Sequence, residues 1–398
     1  MLAPELAWER IRGLAAPLST VTVDRRHSLG YVLAEDLPAT VDVPFADVSA
    51  MDGYVLAGSV DLAPAHPVVG VSAAGHPPDF ELKGGEVAKI MTGAMVPPGG
   101  DRVVPVEWTD GGATAVRFEG MTEAGAHIRR RGEVVGRGDA LLPAGHRLNP
   151  GSISLLASHG YGEVSVIRRP TVAVLTTGDE IVPPEQEPGP GQLRDSNSPF
   201  LLAAGDALGL DFEHLGNAGD RLGDLESRIS AGLAFDVLLL CGGVSKGDYD
   251  LVEDVLEKLG CRKLYDALAI QPGKPMVACK HDGGWVFGLP GNPGSVMTTF
   301  HLFVRPLLDR LAGGTAEHGE PELEAALDGT LPPTKGRVRF FNASIESRDG
   351  RLVATPLLPK GSHDVTAFAR GNGLIRVPAD SPAQETGGTC RVLLFGGP

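Results

Sequence analysis

Glycine-rich turns that carry acids and lysines are concentrated in the second half of the chain. They read TTGDE (176–180), CGGVSKGDYD (241–250), QPGKP (271–275) and GLPGNPGS (288–295). Each borders a short apolar segment that predicts a β-strand, and in open α/β sheets ligands bind where strands end. Glycine lets the backbone approach a phosphate, helix N-termini favour anions, and carboxylates suit a hard cation. The turns therefore predict a site for a phosphorylated or anionic ligand with Mg²⁺.

The turn CGGVSKGDYD brings together glycines, a hydroxyl, a lysine and acids within ten residues. Gly242 and Gly243 open it, Ser245 offers a hydroxyl to a phosphate, Lys246 supplies positive charge and Asp248 is a candidate metal ligand. The chain has no GxxxxGK[ST] loop, GxSxG elbow or HExxH motif, so a Walker-type nucleotidase, a serine hydrolase and a zincin all lack support.

Two further turns add a lysine and a helix start. In QPGKP, Lys274 stands between prolines that restrict the backbone, so the amine is held with little loss of entropy. The turn LPGNPGS leads into a long predicted helix, 293–311, whose first amides are free to bind an anion. Asn292 caps this helix, contacts a ligand, or does both. The residues predicted to bind ligand here are Pro290, Gly291, Asn292 and Ser295.

The first half of the chain holds weaker candidates. Asp52 precedes Gly53 in a tight turn, and Thr92 precedes a glycine in IMTGAMVPPGGDRVVPVE. Both turns have a purely structural alternative, because Asp, Gly and Pro are common turn residues. The triplet Arg129 to Arg131 is either a solvated face or, in so acidic a chain, a contact to an anion.

The elements that must position these residues fall into four predicted parts. A mixed domain covers 1–43 and 136–169, and includes a helix at the N-terminus and a second one that ends near VLAEDL. Residues 44–135 predict an inserted β domain, 170–315 a doubly wound α/β domain, and 316–398 a small β barrel or sandwich. In the α/β domain the pattern predicts strands near 171–176, 212–216, 236–241 and 263–270, and helices near 197–209, 222–233 and 249–259.

Composition excludes several classes of protein. The chain has 398 residues, 42% of them hydrophobic, and a formal net charge of −15, which argues against a nucleic-acid-binding surface. No apolar run is long enough to span a membrane, and the N-terminus lacks the pattern of a signal peptide. The four cysteines show no paired spacing, which predicts reduced thiols in a cytoplasmic protein and argues against a structural zinc site.

Seven motifs occur in the order and spacing of one family: SAMDGY, IMTGA, RRRGE, TTGDE, GGVSKGDYD, IQPGKP and GLPGNPGS. The chain resembles the molybdopterin molybdotransferases, which include bacterial molybdenum-insertion proteins and the E domain of gephyrin. The resemblance implies the four-part subunit given above, with an elongated mixed first domain, a molybdopterin-binding α/β domain and a C-terminal β barrel. It also implies a homodimer, with a cleft between the α/β domain of one subunit and the β insertion of the other. The implied reaction takes adenylylated molybdopterin and molybdate, uses Mg²⁺ and releases AMP.

The resemblance also implies roles for particular residues. Its catalytic set is Asp52, Thr92, Glu180, Asp220, Asp248 and Lys274. Asp248 and Glu180 are the expected Mg²⁺ ligands, and Arg131 joins the glycine turns in binding the pterin. Two positions depart from many relatives: Gln271 replaces the first lysine of KPGKP, and Val134 replaces the acid that follows RRRGE.

Two alternatives remain open beside the molybdotransferase. One is the preceding adenylyltransferase step, which uses a similar α/β domain alone, so the β insertion and β tail argue against it. The other is a scaffold of the same fold that binds a cofactor or peptide without turnover, against which the retained Asp52, Thr92, Asp248 and Lys274 argue. A molybdopterin adenylyltransferase is the expected partner protein.

Overall fold

A computed structural model describes residues 1–219, 221–243, 251–315 and 322–395. The chain forms two compact units. The large unit contains residues 1–22, 30–34 and 165–398, and the small unit contains residues 23–29 and 35–164. The four-domain division predicted from the sequence stays a prediction.

The first 38 residues contain one helix and three short strands. These are α1 (Pro4–Arg12), β1 (Thr20–Asp24), a 3₁₀ turn (Arg25–His27), β2 (Val32–Leu33) and β3 (Leu37–Pro38). Helix α1 begins with a proline, and Ala7, Trp8 and Ile11 form its buried face at helical spacing. The predicted second helix is wrong, because β-branched residues alternate in TVTVD and Leu33 pairs with Val166 in a sheet.

The small unit is built mainly of short strands, as predicted. Its elements are β4 (Val48–Ser49), β5 (Gly53–Leu56), β6 (His66–Ser72), β7 (Val87–Ile90), β8 (Arg102–Pro105), a 3₁₀ turn (Val106–Trp108), β9 (Ala115–Val116), β10 (Ile128–Arg129), β11 (Ala140–Leu142) and α2 (Pro150–Ser158). Five of the strands form a sheet in the order β8-β5-β7-β6-β9. Along β5, Val55 and Tyr54 face two different cores, which is the alternation expected of a sheet covered on both faces.

The α/β part of the large unit begins after β12 (Glu163–Ile167). Its elements are β13 (Val172–Thr177), β14 (Ile181–Val182), β15 (Leu193–Arg194), α3 (Asn197–Ala207), β16 (Phe212–Ala218), α4 (Leu222–Gly232), β17 (Val237–Cys241), α5 (Val252–Lys258), β18 (Arg262–Tyr265), β19 (Ile270–Gln271), β20 (Val277–Lys280), β21 (Trp285–Leu289) and α6 (Pro293–Thr299). The main sheet has the order β16-β13-β17-β21-β20-β18, and its first four strands are parallel. The predicted doubly wound fold is confirmed.

Helices cover both faces of this sheet. Side chains of α1, α3 and α6 pack with Val172 and Val174 on one face, whereas α4 and α5 pack with Ala173 and Leu175 on the other. Strands β20 and β21 form an antiparallel pair at one end of the sheet. This pair was not predicted, and the strand expected at 263–270 ends at Tyr265.

The helix predicted at 293–311 is continuous but not uniform. It runs through α6, a π-helical segment (Phe300–Val304) and α7 (Arg305–Leu311). Pro306 follows the π segment and has no amide hydrogen for a carbonyl of the preceding turn, which is where a wider turn is tolerated. No helix in the described ranges is long and apolar enough to cross a membrane.

A closed barrel ends the chain, as predicted. Its elements are β22 (Leu323–Leu327), β23 (Val338–Arg348), β24 (Arg351–Pro356), α8 (Thr366–Arg370), β25 (Gly373–Val377) and β26 (Thr389–Leu394). The strands pair in the order β23-β24-β22-β26-β25, and β25 pairs back with β23, which closes the ring; β19 adds to β23 from outside. Phe341, Ala343 and Ile345 fill the interior. Phe340, Leu374 and Leu393 face outward and join the core of the α/β part.

Candidate functional site

A cavity of about 740 Å³ lies in the large unit between the α/β sheet and the barrel. Its walls come from the ends of β13 and β17, the turns after β19 and β21, strand β23 and the loop before α8. After β13 the chain forms β16 on one side of that strand and then β17 on the other side. This is the switch point at which open α/β sheets bind ligands.

Glycines bring the backbone close together at the strand ends. Gly242 has φ 97° and Gly243 has φ 63°, in the region that side-chain-bearing residues avoid. A Cβ on Gly242 would stand 2.9 Å from the carbonyl oxygen of Thr177, and one on Gly243 would stand 2.7 Å from Val252 Cγ2. The two glycines therefore let the chain turn sharply after β17, beside β13 at the floor of the cavity.

Among the residues that the structure describes, four cationic and three acidic side chains line the cavity. The cations are Arg194, Lys274, Arg337 and Arg339, and the acids are Glu180, Asp195 and Asp364. This is an unusual concentration of positive charge for a chain with a net charge of −15. Two of the acids also make hydrogen bonds within the protein, which leaves the positive charges of the wall more available to an anionic ligand.

Two of the three carboxylates are committed to the protein's own backbone. Asp195 accepts from the amides of Asn197 at 2.9 Å and Ser198 at 3.0 Å, the first two residues of α3. Asp364 accepts from the Thr366 hydroxyl, from the Lys360 amide and from the Thr366 amide, and these bonds lower its pKa to about 2. Among the described residues Glu180 has no such partner, so its carboxylate is the one in the cavity that remains available to a ligand.

Arg339 packs beside the cavity against an aromatic ring. Its guanidinium lies 4.5 Å from the centre of the Phe341 ring, and burial together with the nearby charge of Arg337 lowers its pKa. Gln271 is the register partner of Arg339 in the parallel pair of β19 and β23. A neutral amide at position 271 therefore stands beside the arginine.

Cys241 also lines the cavity, at the end of β17. It is 3% exposed, and burial raises the pKa of its thiol. The residue therefore stays a thiol at neutral pH and serves packing.

In the small unit, Asp52 and Thr92 are in direct contact. Asp52 Oδ1 accepts from the Thr92 amide at 2.6 Å and from the Thr92 hydroxyl at 2.8 Å. These two bonds, the amide first, lower the pKa of Asp52. Two residues that the sequence placed 40 positions apart thus form one polar group on the surface of this unit.

The arginine triplet is largely paired within the small unit. Arg130 Nη1 lies 2.6 Å from Asp47, and Arg131 Nε lies 2.6 Å from Asp42. The Arg131 side chain is 68% exposed in spite of this pair. An anion that binds Arg131 would have to compete with Asp42.

The structure groups the predicted site residues as follows. The cavity is lined by Glu180, Gly242, Lys274, Pro290, Gly291, Asn292 and Ser295, and Gly243 adjoins Gly242. Asp52, Thr92 and Arg131 belong to the small unit. Asp220, Ser245, Lys246 and Asp248 lie outside the described residues. Asn292 occupies the N-cap position of α6, but its side chain makes no capping hydrogen bond. The prediction that this side chain caps the helix is therefore wrong.

Family models match three consecutive parts of the chain. Residues 2–160 match "MoeA N-terminal region (domain I and II)", residues 173–310 match "Probable molybdopterin binding domain", and residues 324–395 match "MoeA C-terminal region (domain IV)". Molybdopterin molybdenumtransferase of Bacillus subtilis (strain 168) is 32% identical over 379 residues, which cover 92% of this chain and 88% of that protein. The chain belongs to the MoeA family.

Further relatives agree with the family assignment. Molybdopterin molybdenumtransferase 2 of Mycobacterium tuberculosis (strain CDC 1551 / Oshkosh) is 33% identical over 372 residues, or 90% of this chain and 91% of that protein. The crystal structure of the molybdopterin biosynthesis MoeA protein from Pyrococcus horikosii has 32% identity, a TM-score of 0.84 and coverage of 100% of both chains. The predicted resemblance and fold class are confirmed.

Sequence reasoning missed the part of the cavity wall that the barrel of this MoeA family member provides. The polar residues of this part include Arg337, Arg339, Asn342, Ser362 and His363. The available signal was the alternation in RVRFFNASIE, which puts polar residues on the same strand face as Phe340. That alternation predicts a strand with two different faces, but it does not predict which part of the protein packs against the outer face.

Proposed function

We propose that this chain transfers molybdenum from molybdate to adenylylated molybdopterin and releases AMP, in molybdenum cofactor biosynthesis. The observation that carries the proposal is the cation-lined cavity at the switch point of the α/β part, in a chain whose relatives are named molybdopterin molybdenumtransferases. A volume of about 740 Å³ is within the usual range for small-molecule sites.

Cleavage of the adenylate needs charge neutralisation and positioning more than covalent help. Lys274, Arg337 and Arg339 stand where they can stabilise negative charge on phosphate oxygens as the bond to AMP breaks. Molybdate is also an oxyanion, and arginine and lysine donors suit it for the same reason.

Mg²⁺ is part of the proposal, with Glu180 and Asp248 as its ligands. The fit rests on Glu180, whose carboxylate lines the cavity without a hydrogen-bond partner among the described residues. Within those residues there is no group of three or more His, Cys, Asp or Glu side chains that could hold a metal ion. Mg²⁺ usually keeps several waters and binds one or two protein carboxylates together with phosphate oxygens, which matches a site with two acidic ligands. When bound, the ion would neutralise charge on the phosphates.

We also propose a homodimer in the cytoplasm, with four domains per subunit divided as predicted from the sequence. Asp52 and Thr92 would then face the GGVSKGD turn of the other subunit. The pairing of these two exposed side chains supports a binding role, since polar residues fixed on a surface are typical of sites. A molybdopterin adenylyltransferase is the proposed source of the substrate.

The test of this function is a direct assay of AMP release. Purified protein is given adenylylated molybdopterin, with molybdate and Mg²⁺ added together, singly or not at all. We expect AMP and molybdenum-loaded pterin only when both are present. Binding of the substrate without AMP release under any of these conditions would contradict the proposal and favour a scaffold.

A further inference from the structure

A buried amide without a partner forms part of the cavity wall. Asn342, on β23, is 4% exposed and lines the cavity. Its Nδ2 is buried and makes no hydrogen bond to any described residue. Leaving a polar group buried and unpaired costs about 1–3 kcal/mol. The free protein carries this cost, and a ligand atom that accepts from Nδ2 would remove it.

The fold of the barrel does not explain an asparagine at this position. Asn342 shares the outer strand face with Phe340, and its register partner on β25 is Leu374; both neighbours belong to the apolar core between the barrel and the α/β part. A leucine would continue that core. Asn372 shows what a structural asparagine does in the same barrel, because its amide pairs with the backbone of Ile345, with the N–H at 2.7 Å and the carbonyl at 2.8 Å.

A second amide in the same cavity offers the opposite group. Asn197 lines the cavity at the start of α3, and its Nδ2 donates to the carbonyl oxygen of Gly291 at 2.9 Å. That bond fixes the orientation of the Asn197 amide, so its Oδ1 is the atom that is left to accept a hydrogen bond. Oδ1 is buried and accepts from no described residue. Two residues of the cavity wall therefore each carry one unpaired, uncharged polar atom that is buried in the free protein, a donor on Asn342 and an acceptor on Asn197.

We propose that Asn342 binds the substrate directly, donating from Nδ2 to an acceptor on its heteroaromatic ring system. Asn197 Oδ1 accepts from a donor of the same substrate. Neutral amides match a ring edge that carries an acceptor next to a donor, whereas the arginines and Lys274 serve the anionic groups. The lactam edge of a pterin and the amidine edge of adenine share this chemistry. The assignment rests on the proposed function, since adenylylated molybdopterin carries both rings.

The test measures equilibrium binding of two fragments, AMP and 6-hydroxymethylpterin, to wild type and to Asn342→Leu by calorimetry. We expect the substitution to weaken binding of one fragment by about 5- to 30-fold, and the affected fragment identifies the ring. Asn342→Asp should weaken the same fragment further, because it replaces the donor by an anionic acceptor. The unliganded Asn342→Leu protein should melt at the wild-type temperature or higher, since an unpaired buried amide is removed.

Asn372→Leu is the contrasting variant, and it should lower the melting temperature because it breaks two backbone contacts. The inference is overturned if Asn342→Leu binds both fragments as wild type does, if wild type binds neither, or if Asn342→Leu is destabilised as much as Asn372→Leu. Release of AMP by wild type is scored separately. Its absence contradicts the proposed function, whereas unchanged fragment binding in Asn342→Leu contradicts this inference alone.

Discussion

Asp52 Oδ1 and Thr92 Oγ1 lie 2.8 Å apart, and the Thr92 amide donates to the same carboxylate oxygen at 2.6 Å. Both hydrogen bonds favour the ionised acid, so Asp52 is an anion throughout the neutral range, with a pKa below its ordinary value. The two bonds leave Oδ2 of Asp52 without a partner among the described residues. The pair thus presents one oriented carboxylate oxygen.

The first prediction concerns this pair. Thr92→Val removes the hydroxyl and keeps the amide, so the pKa of Asp52 should rise but stay below its ordinary value. AMP release should fall by about 10- to 100-fold, because the carboxylate is no longer held in one orientation. Thr92→Ser should restore activity. Thr114→Val, at an exposed threonine of the same unit, is the control. Full activity in Thr92→Val would show that the hydroxyl is dispensable.

The second prediction tests Mg²⁺ binding by Glu180. Glu180→Gln keeps the size of the side chain and removes the charge that a hard cation requires. The Mg²⁺ concentration for half-maximal AMP release should rise by at least about tenfold, with the melting temperature unchanged. Glu185→Gln, in the loop between β14 and β15, is the matched control. An unchanged Mg²⁺ requirement in Glu180→Gln would remove this residue from the metal site. Asp248→Asn should act in the same way as Glu180→Gln.

The third prediction separates Lys274 from Gln271. Lys274 is an exposed cation of the cavity wall with no ion-pair partner among the described residues. Lys274→Ala should lower kcat/KM by about 10- to 100-fold, the range of a charged hydrogen bond. Gln271→Lys should stay within about fivefold of wild type, because an exposed ammonium beside Arg339 costs little. Near wild-type rates for Lys274→Ala would make this lysine a surface residue without a role.

The fourth prediction concerns stability and pH. Arg168 donates to both oxygens of Asp236, at 2.6 and 2.7 Å, and Thr171 adds bonds from its amide and hydroxyl. Burial acts to raise the pKa of Asp236, but these bonds outweigh it and the pKa lies below the ordinary 3.8. Asp236→Asn should lower the free energy of unfolding by roughly 2–4 kcal/mol at pH 7.

The sign of the pH dependence follows from the lowered pKa. The contribution of Asp236 is complete above about pH 5 and is lost as the pH falls below 3.8 towards the folded-state pKa. Urea unfolding at pH 7 and pH 3 should therefore show a gap between wild type and Asp236→Asn that narrows at pH 3. Asp328→Asn breaks an exposed pair with Arg348 and should cost less than about 1 kcal/mol. An equal gap at both pH values would contradict the assignment.

The fifth prediction tests whether the site is shared between subunits. Asp52→Asn and Lys274→Ala, each expected to be strongly impaired as a pure protein, are mixed under conditions in which dimers exchange. If one subunit supplies Asp52 and the other Lys274, mixed dimers contain one intact site. Activity should then recover to roughly a quarter of wild type at equal amounts, because random pairing makes about half of the dimers mixed. No recovery, or a monomer by light scattering, would contradict the shared site.

Local pattern in the sequence determined the α/β part and the cavity wall that its own turns form. Apolar runs that end in glycine turns predicted β13, β17 and the LPGNPGS turn, and the structure places Glu180, Gly242, Lys274 and Asn292 around one cavity. These features depend on neighbours within a few positions, since strands end where glycines turn the chain and parallel strands bring their carboxyl ends to one edge.

Only the tertiary structure decided which other residues complete the wall. Asn342 reaches the cavity because the outer face of β23 packs on the α/β part through Phe340, about 160 positions from Thr177 in the chain. Arg337, just before this strand, and Arg339, near its beginning, also line the cavity. The sequence also did not predict the hydrogen bonds of Asp195 and Asp364, which leave Glu180 as the carboxylate available to a ligand. Alternation along a strand specifies its two faces, whereas the surface that each face meets depends on contacts between residues distant in sequence, which no local pattern encodes.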